Sequence, residues 1–387
     1  MIHAITEIIA ALGAVGSVAY YTLCLWSAAE FLRDRKSAGG RARATLALPS
    51  VSILKPLKGT DPEMYESFRS HCRQDYPEYE IIFGVSEPDD PAIALVERLK
   101  SEFPQRPIRL VVCRNHLGAN TKVSNLVQML PAARYELLVV NDGDIRVASD
   151  YLQRVAPPLT DPKVGVVTCL YRGVAGSTLG SRLEALGIST DFAAGVLAAR
   201  QLEGIRFGLG STLGFRRSDL RSIGGFEALL DYLADDYELG KRLTAQGLQG
   251  RLSEAVVETF LPPYSVRGFL DHQLRWARTI RDARPWGYVG MLWTFALPWA
   301  VLALIAAHGA AWAWTLFAAV ATLRLATALV VGRMVLQDRQ VSPFLWLIPL
   351  RDVIALLIWM VSFAGHRVAW RGDSFTLKDG KLARTTP

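Results

Sequence analysis

The sequence lacks the signatures of several enzyme classes. Its four cysteines, Cys24, Cys72, Cys113 and Cys169, show neither CxxC spacing nor the density of a disulfide scaffold. That excludes the common zinc patterns and fits a reducing compartment. No GxGxxG follows the first predicted strand, and no GxxxxGK[ST] occurs anywhere. Dinucleotide oxidoreductases and P-loop nucleotidases are therefore poor readings. HExxH and GxSxG are missing as well, which sets aside zincins and the α/β-hydrolase elbow. Low-complexity linkers and internal repeats are also absent. Disorder is excluded, because 51% of the 387 residues are hydrophobic and the net charge is only +7. The positive charge gathers beside apolar runs and leaves no basic, aromatic-interleaved face, so nucleic acid is not an expected partner.

Long uncharged runs are present. Ile8 to Ala29 is 22 residues without a charge, enough helix to cross a hydrocarbon core of roughly 30 Å. Met1–Glu7 has no positive n-region, so a retained signal-anchor is expected over residues 1–32 rather than a cleaved peptide. Arg33, Arg35, Lys36, Arg41 and Arg43 follow, offset only by Asp34, and the positive-inside rule places the next block in the cytoplasm. Pro285 to Leu323 is a second run of 39 residues, about two bilayer cores long, which predicts a helical hairpin turning near His308. Its second arm reaches about Val331 and carries Arg324, whose charge requires a partner or an interfacial position. Phe344–Gly365, interrupted by Pro349 and Arg351-Asp352, fits either a full span with an internal ion pair or a kinked, re-entrant segment. The basic tail (Arg367, Arg371, Lys378, Lys381, Arg384) favours the cytoplasm, whereas a clean third crossing would carry it outside.

Between about 45 and 284, short apolar runs recur at Val51–Leu54, Glu80–Val85, Ile108–Val112, Glu136–Val140 and Val164–Thr168. Helix-like stretches such as Pro91–Phe103 and Lys122–Ala133 separate several of them. The alternation predicts an α/β domain with a mostly parallel sheet covered on both faces. Ligands in such sheets bind beyond the carboxyl ends of strands, and carboxylates stand there.

Asn141-Asp142-Gly143-Asp144 follows the strand Glu136–Val140, and two carboxylates around a glycine suit a hard divalent cation or an ordinary polar turn. Asp89 and Asp90, after Glu80–Val85, suit either nucleotide contacts or a cap for the helix beginning at Pro91. Lys122 and Asn125 sit three apart at a helix start, where a phosphate contact or a solvated face are both readings. In Asp235-Asp236 the repulsion of adjacent carboxylates raises one pKa toward that of a general base, while an acidic first helical turn explains the same residues. Arg275 and Arg278 share a helix face beside Trp276, suited to a diphosphate, a sugar or anionic lipid headgroups.

Taken together, "VSILKPLKGTD" at Val51–Asp61, "DDPAI" at Asp89–Ile93, "GANTKVSNL" at Gly118–Leu126, "NDGDIRV" at Asn141–Val147, "GGFEALLDYLADDYELG" at Gly224–Gly240 and "HQLRWARTIR" at His272–Arg281 resemble the D1, D2, D3 and (Q/R)xxRW signature of membrane glycosyltransferases related to ceramide glucosyltransferase. Bacterial ceramide glucosyltransferases and hopanoid-biosynthesis glycosyltransferases are similar to it. The resemblance implies a GT-A-type, Rossmann-like cytoplasmic domain (45–284) between the anchor and C-terminal membrane segments (285–366), with a tail at 367–387, in a bacterial inner membrane. It implies an inverting transfer of glucose or N-acetylglucosamine from a UDP-sugar donor to the hydroxyl of a lipid acceptor, ceramide or hopanoid polyol. By position, Asp89, Asp90, Lys122, Asn125, Asp142, Arg275 and Trp276 would bind the donor. Asp142 and Asp144 would hold Mg²⁺ or Mn²⁺, and Asp236 would be the base. His272 departs from the family's Gln or Arg. Gly176–Gly204 is read as lining the acceptor entrance. Two rival readings are a processive polysaccharide synthase and a non-catalytic membrane scaffold. About four hydrophobic segments are few for a polymer channel, and all three Asp sites are occupied.

Overall fold

The structure, a computed structural model, describes residues 2–40, 48–370 and 373–384, so Arg41, Arg43 and Arg371 of the basic clusters fall outside it. The chain forms two compact units, one of residues 1–38, 175–202 and 263–379, the other of 39–174, 203–262 and 380–387. Hydropathy alone divided it differently, since 175–202 and 263–284 count here with the apolar helices.

The second unit is built on eight strands: β1 Val51–Leu57, β2 Tyr79–Val85, β3 Ile108–Val112, β4 Leu137–Val140, β5 Ile145–Arg146, β6 Val164–Val174, β7 Leu213–Arg216 and β8 Gln249–Phe260. Their order is β3-β2-β1-β4-β7-β6-β8-β5. The first four are parallel, as the recurring apolar runs require, and helices Ala92–Glu102 and Thr121–Met129 follow β2 and β3. β7 is antiparallel to β4 and β6, and β6 runs parallel to β8. This is the GT-A-type α/β arrangement that the motifs imply. Continuous burial of β1 and β2 reflects a sheet covered on both faces. Leu54, Ile82, Val140, Phe215 and Leu239 share one core with Val123 and Leu126. Lys55 on β1, like Glu80 on β2, is a charged residue fully removed from solvent, which needs a partner. At the other end of the chain, Leu382 N–H donates to Asp231 O (2.7 Å) and Leu233 N–H to Gly380 O (3.3 Å). The tail segment is thereby tied to the loop before Asp235.

Among the described residues of the first unit, three helical stretches are long and apolar enough to cross a membrane: His3–Ser37, Ala311–Val335 and Ser342–Ser362. Pro285–Thr294 and Ala296–Ala306 make a fourth candidate, bent by 57° between its parts. The N-terminal helix, Ile2–Gly40, runs past the expected limit at residue 32, and Arg35 donates to the carbonyls of Met334 and Val335 (2.8 and 2.9 Å). The expected hairpin turn is at His308-Gly309, both at positive φ (51° and 75°). Pro349 lies in the first turn of the α-helix Ile348–Ser362, a position that tolerates it, so it does not break the segment. The ion pair expected inside that segment is instead made with other elements. Asp352 binds Arg324 and Arg351 faces Asp191, because adjacent helical residues point apart.

Candidate active site

Four chain segments of the sheet unit, together with Lys55 on β1, bring carboxylates and lysines together. The first is the exit of β4. Asn141 Nδ2 donates to Ser211 O (2.6 Å) and to the Tyr151 hydroxyl (3.0 Å), which fixes the turn against the strand opposite. Asp142 keeps an exposed side chain (42%). Asp144 is turned inward, where the Thr259 hydroxyl on β8 donates to Oδ2. Burial and the neighbouring Asp142 push the Asp144 carboxyl up to about 6. Gly143 does not take a positive φ. The demand for glycine is spatial, because a Cβ there would lie 3.1 Å from Leu57 and 3.3 Å from Met64.

Lys55 Nζ donates to Asp142 O (2.9 Å) from beneath this turn. Burial pushes its ammonium down to about 7 despite the pull of Asp144 and Asp142.

The second segment is the helix Thr121–Met129. Asn120 caps it by accepting from Val123 N–H (3.1 Å) and also donates to Tyr232 O (2.7 Å) and Asp235 Oδ1 (3.3 Å). One residue thus fixes both the helix start and the acidic loop. Lys122, in the first turn, reaches Asp142 Oδ1 (2.9 Å) and Asp235 Oδ2 (3.1 Å). Its burial alone would lower the ammonium pKa, but Asp142, Asp235 and Asp236 outweigh that and raise it.

The helix Asp235–Ala245 supplies the third segment, with its acidic residues in the first turn, where the helix dipole favours them. Asp235 is buried. Asp236 is half-buried, and its Oδ1 accepts from Tyr237 N–H (2.8 Å). Burial and Asp235 push the Asp236 carboxyl up to about 6, with Lys122 pulling the other way. The fourth segment is the backbone at Gly210. A Cβ there would lie 2.9 Å from Asp142 Oδ2 and 3.3 Å from Asp236 Oδ2, so these two oxygens converge on one glycine.

The remaining sequence candidates sit elsewhere. Asp90 is buried in the loop after β2, where its carboxylate accepts from Gly59 N–H (2.9 Å) and from Ala92 N–H (2.9 Å) at the first residue of the helix Ala92–Glu102. Asp89 beside it is exposed. Asn125 is buried and accepts from the Ser86 hydroxyl (3.0 Å). Arg275 and Trp276 lie on the helix Val266–Ala283 of the other unit. On that helix Arg278 donates to Arg367 O (2.6 Å) and Arg281 to Gly365 O (2.8 Å). Sequence reasoning passed over Lys55, Asn120, Gly210 and Thr259. Only Asn120 left a local signal, a capping residue before a helical run.

The donor set suits a hard divalent cation held in part by protein. Among the described residues no three His, Cys, Asp or Glu converge as a preformed cage. Exposed Asp142 beside inward Asp144 fits an ion that takes its other oxygens from water and phosphates.

The profile of Glycosyl transferase family 21 matches residues 9–383, and the chain belongs to that family. Ceramide glucosyltransferase 3 of Caenorhabditis elegans is 27% identical over 234 residues, 60% of this chain and 50% of its own length. A beta-monoglucosyldiacylglycerol synthase of Trichormus variabilis is 31% identical over 123 residues, 31% of this chain and 26% of its own. This chain thus spans about half the length of the ceramide glucosyltransferases of C. elegans that it matches. Among solved structures, a mannosyltransferase of Pyrobaculum calidifontis in complex with GDP-Man and Mn²⁺ aligns at TM-score 0.48 and 18% identity, over 90% of this chain and 99% of its own.

Lys122→Met should separate charge compensation from packing. It leaves Asp142, Asp235 and Asp236 facing one another without their cation, a change typically worth about 3 kcal/mol for a buried partner. A melting temperature several degrees lower is expected in detergent, with partial recovery in Lys122→Met/Asp142→Asn. An unchanged melting temperature in the single variant would show that Lys122 does not neutralise the cluster.

Proposed function

We propose that the protein transfers a hexose, glucose or N-acetylglucosamine, from a UDP-sugar to the hydroxyl of a membrane lipid, with inversion at the anomeric carbon. The observation that carries this reading is the convergence of Asp142 and Asp236 oxygens on Gly210, with Lys122 bridging Asp142 to Asp235. A displacement needs a base for the incoming hydroxyl and positive charge for the departing diphosphate, and these residues supply both. Asp236, half-buried and raised toward 6, takes the proton of the acceptor hydroxyl. The hydroxyl oxygen bonds to the anomeric carbon from the face opposite the UDP oxygen, and the carbon–oxygen bond to UDP breaks. Lys122 is placed to exchange its carboxylate partners for the diphosphate. Asp142 and Asp144 would hold Mg²⁺ or Mn²⁺, which when bound supplies charge neutralisation at the leaving diphosphate. Lys55 holds the Asp142 carbonyl and keeps the turn in register.

Ceramide and diacylglycerol are acceptor classes suggested by relatives' names; a hopanoid polyol belongs to the same chemical class of hydroxylated amphiphiles. The basic residues after the N-terminal helix place the sheet unit on the cytoplasmic face, in our reading of a bacterial inner membrane. Because Gly380–Leu382 joins Asp231–Leu233 in the sheet unit, the tail lies on that same face. The segments between must then cross an even number of times. Ala311–Val335 and Ser342–Ser362 serve as the two crossings, and the 57° bent pair enters and leaves by one side.

Purified full-length protein in detergent should release UDP from a UDP-sugar only when a lipid acceptor is present, and EDTA should stop it. The screen pairs UDP-glucose and UDP-N-acetylglucosamine with ceramide, a hopanoid polyol and diacylglycerol. Measurable UDP-sugar binding without release on any lipid would overturn the lipid-acceptor reading.

A further inference from the structure

Asp236 stands in the first turn of a helix that does not fix its own beginning. The N-cap position of Asp235–Ala245 is Ala234, and among the described residues no side chain caps that end. A serine, threonine, asparagine or aspartate would be the usual solution there. The position of Asp235 and Asp236 is therefore set by the segment before them, residues 230–233. That segment lies between the short helix Phe226–Leu229 and Asp235–Ala245 and is no part of β1 to β8.

Both edges of the segment are held. On one edge, Asn120 N–H donates to Leu230 O (2.8 Å), Ala119 N–H to Asp231 Oδ1 (3.1 Å) and Asn120 Nδ2 to Tyr232 O (2.7 Å). The other edge is closed by Gly380 and the strand Lys381–Arg384, which belong to the sheet unit. Leu233 N–H donates to Gly380 O (3.3 Å), Leu382 N–H donates to Asp231 O (2.7 Å), and Tyr232 and Lys381 form an antiparallel bridge. Side chains reinforce the contact. Leu233 and Leu382 are buried, and the Tyr232 ring has the Arg242 guanidinium at 5.1 Å and the Lys381 ammonium at 5.5 Å. Gly380 has a positive φ (77°) and passes so close to Tyr232 that a Cβ would lie 3.4 Å from the ring. Glycine meets both demands. Asp142 and Asp144, by contrast, are held by Lys55 and Thr259 on other strands.

We infer that the strand Lys381–Arg384 is a strap that positions the general base, holding residues 230–233 so that Asp236 stands where the acceptor hydroxyl arrives. Leu382 touches no reacting atom and is a positioning residue. It acts on proton removal through Asp236, while the donor side of the site keeps its own supports. This rests on the reading of Asp236 as the base.

The test uses full-length protein in detergent with the UDP-sugar and lipid that the wild type joins. Leu382→Pro removes the N–H that Asp231 O accepts. It should lower kcat about thirtyfold, within the cost of misplacing a reacting group by about 1 Å, with UDP-sugar KM within about threefold of wild type. Leu382→Val keeps the N–H and should recover kcat to within about twofold. The deciding arm is the Asp236→Asn background, where the base is already gone. There Leu382→Pro should change the residual rate by less than about twofold, the non-additivity of residues that act as one unit. A merely structural loss would lower both backgrounds alike. If Leu382→Pro yields no folded protein, Gly380→Ala replaces it, since it strains the positive φ and crowds Tyr232 while leaving every backbone N–H in place. Hydrogen exchange in the wild type, which needs no variant, should show residues 229–234 and 380–384 protected together. Equal kcat losses in the two backgrounds, a wild-type kcat in Leu382→Pro, or free exchange of 380–384 beside a protected 229–234 would overturn the strap. Full activity of Asp236→Asn, or failure of the wild type to glycosylate any lipid, would instead overturn the reading beneath it, so the two failures are distinguishable.

Discussion

Asp236→Asn is expected to lower kcat by about a thousandfold while UDP-sugar binding stays within a few-fold of wild type. Asparagine keeps the size of the side chain and the acceptor for Tyr237 N–H, so donor geometry is preserved. What is lost is the proton acceptor, and general-base catalysis is commonly worth 10²- to 10⁴-fold. The pH dependence sharpens the assignment. Burial and Asp235 raise the Asp236 carboxyl to about 6, and the base must be ionised to work. In wild type, kcat/KM should therefore fall with unit slope below about pH 6, and the residual rate of Asp236→Asn should lack that limb. The stability contribution has the opposite sign. Asp236 and Asp144 both titrate near 6 in the folded protein against about 4 when unfolded. Between those values the folded state binds more protons, so these two carboxyls destabilise above about pH 6, and stability rises as pH falls toward 4. A protein that gains melting temperature while losing kcat/KM over that window would carry both signatures. Full activity of Asp236→Asn with normal donor binding would remove Asp236 as the base.

The parts of the fold that could be read from sequence were mostly those whose residues are constrained by burial on both faces. β1, β2 and β4 are buried along their whole length because neither face meets water, and Val51–Leu54 stood out for that reason, whereas the edge strand Ile108–Val112 is half-exposed and was legible from its apolar residues alone. β7 is only four residues long, too short for periodicity, and β8 begins with exposed and half-exposed positions and alternates buried with half-exposed ones only across Ser253–Phe260. In this half of the sheet only β6 was legible, as Val164–Thr168, while β7 and β8 stayed hidden. The same contrast runs through the site. Asp142, Asp144 and Asp236 announced themselves as carboxylates at strand or helix ends. Lys55 did not, because a lysine in VSILKPL says nothing until the strand places it under the Asp142 carbonyl. Thr259 supports Asp144 from 115 residues away, a relation no local pattern encodes. Arg324 was an intermediate case. Its charge in an apolar run demanded a partner or an interfacial position, and only the packing shows that Asp191 and Asp352 both serve as partners.

That shared partner makes Arg324 the residue whose loss should cost the most stability. It is fully buried on the helix Ala311–Thr327. Its Nη2 donates to Asp191 Oδ1 (2.5 Å) and Asp352 Oδ1 (2.8 Å), its Nε donates to Asp352 Oδ2 (3.0 Å), and the guanidinium lies 5.6 Å from the Tyr21 ring centroid. One planar fork thus joins the N-terminal helix, the π-helical turn, the second arm of the hairpin and the last apolar helix. Arg324→Met fills similar volume but strands two carboxylates, and breaking a buried pair from one side typically costs about 3–5 kcal/mol. Low yield and a markedly lower melting temperature in detergent are expected. Arg324→Lys should fall between, since an ammonium supplies charge but cannot reproduce the bidentate contact to Asp352. Arg324→Met/Asp352→Asn should recover part of the loss, because the neutral amide no longer carries an uncompensated charge. That recovery distinguishes electrostatic stranding from lost packing, which the double variant would leave uncorrected. A wild-type melting temperature for Arg324→Met would mean that water or lipid headgroups satisfy Asp191 and Asp352, and that the arginine does not hold these four elements together.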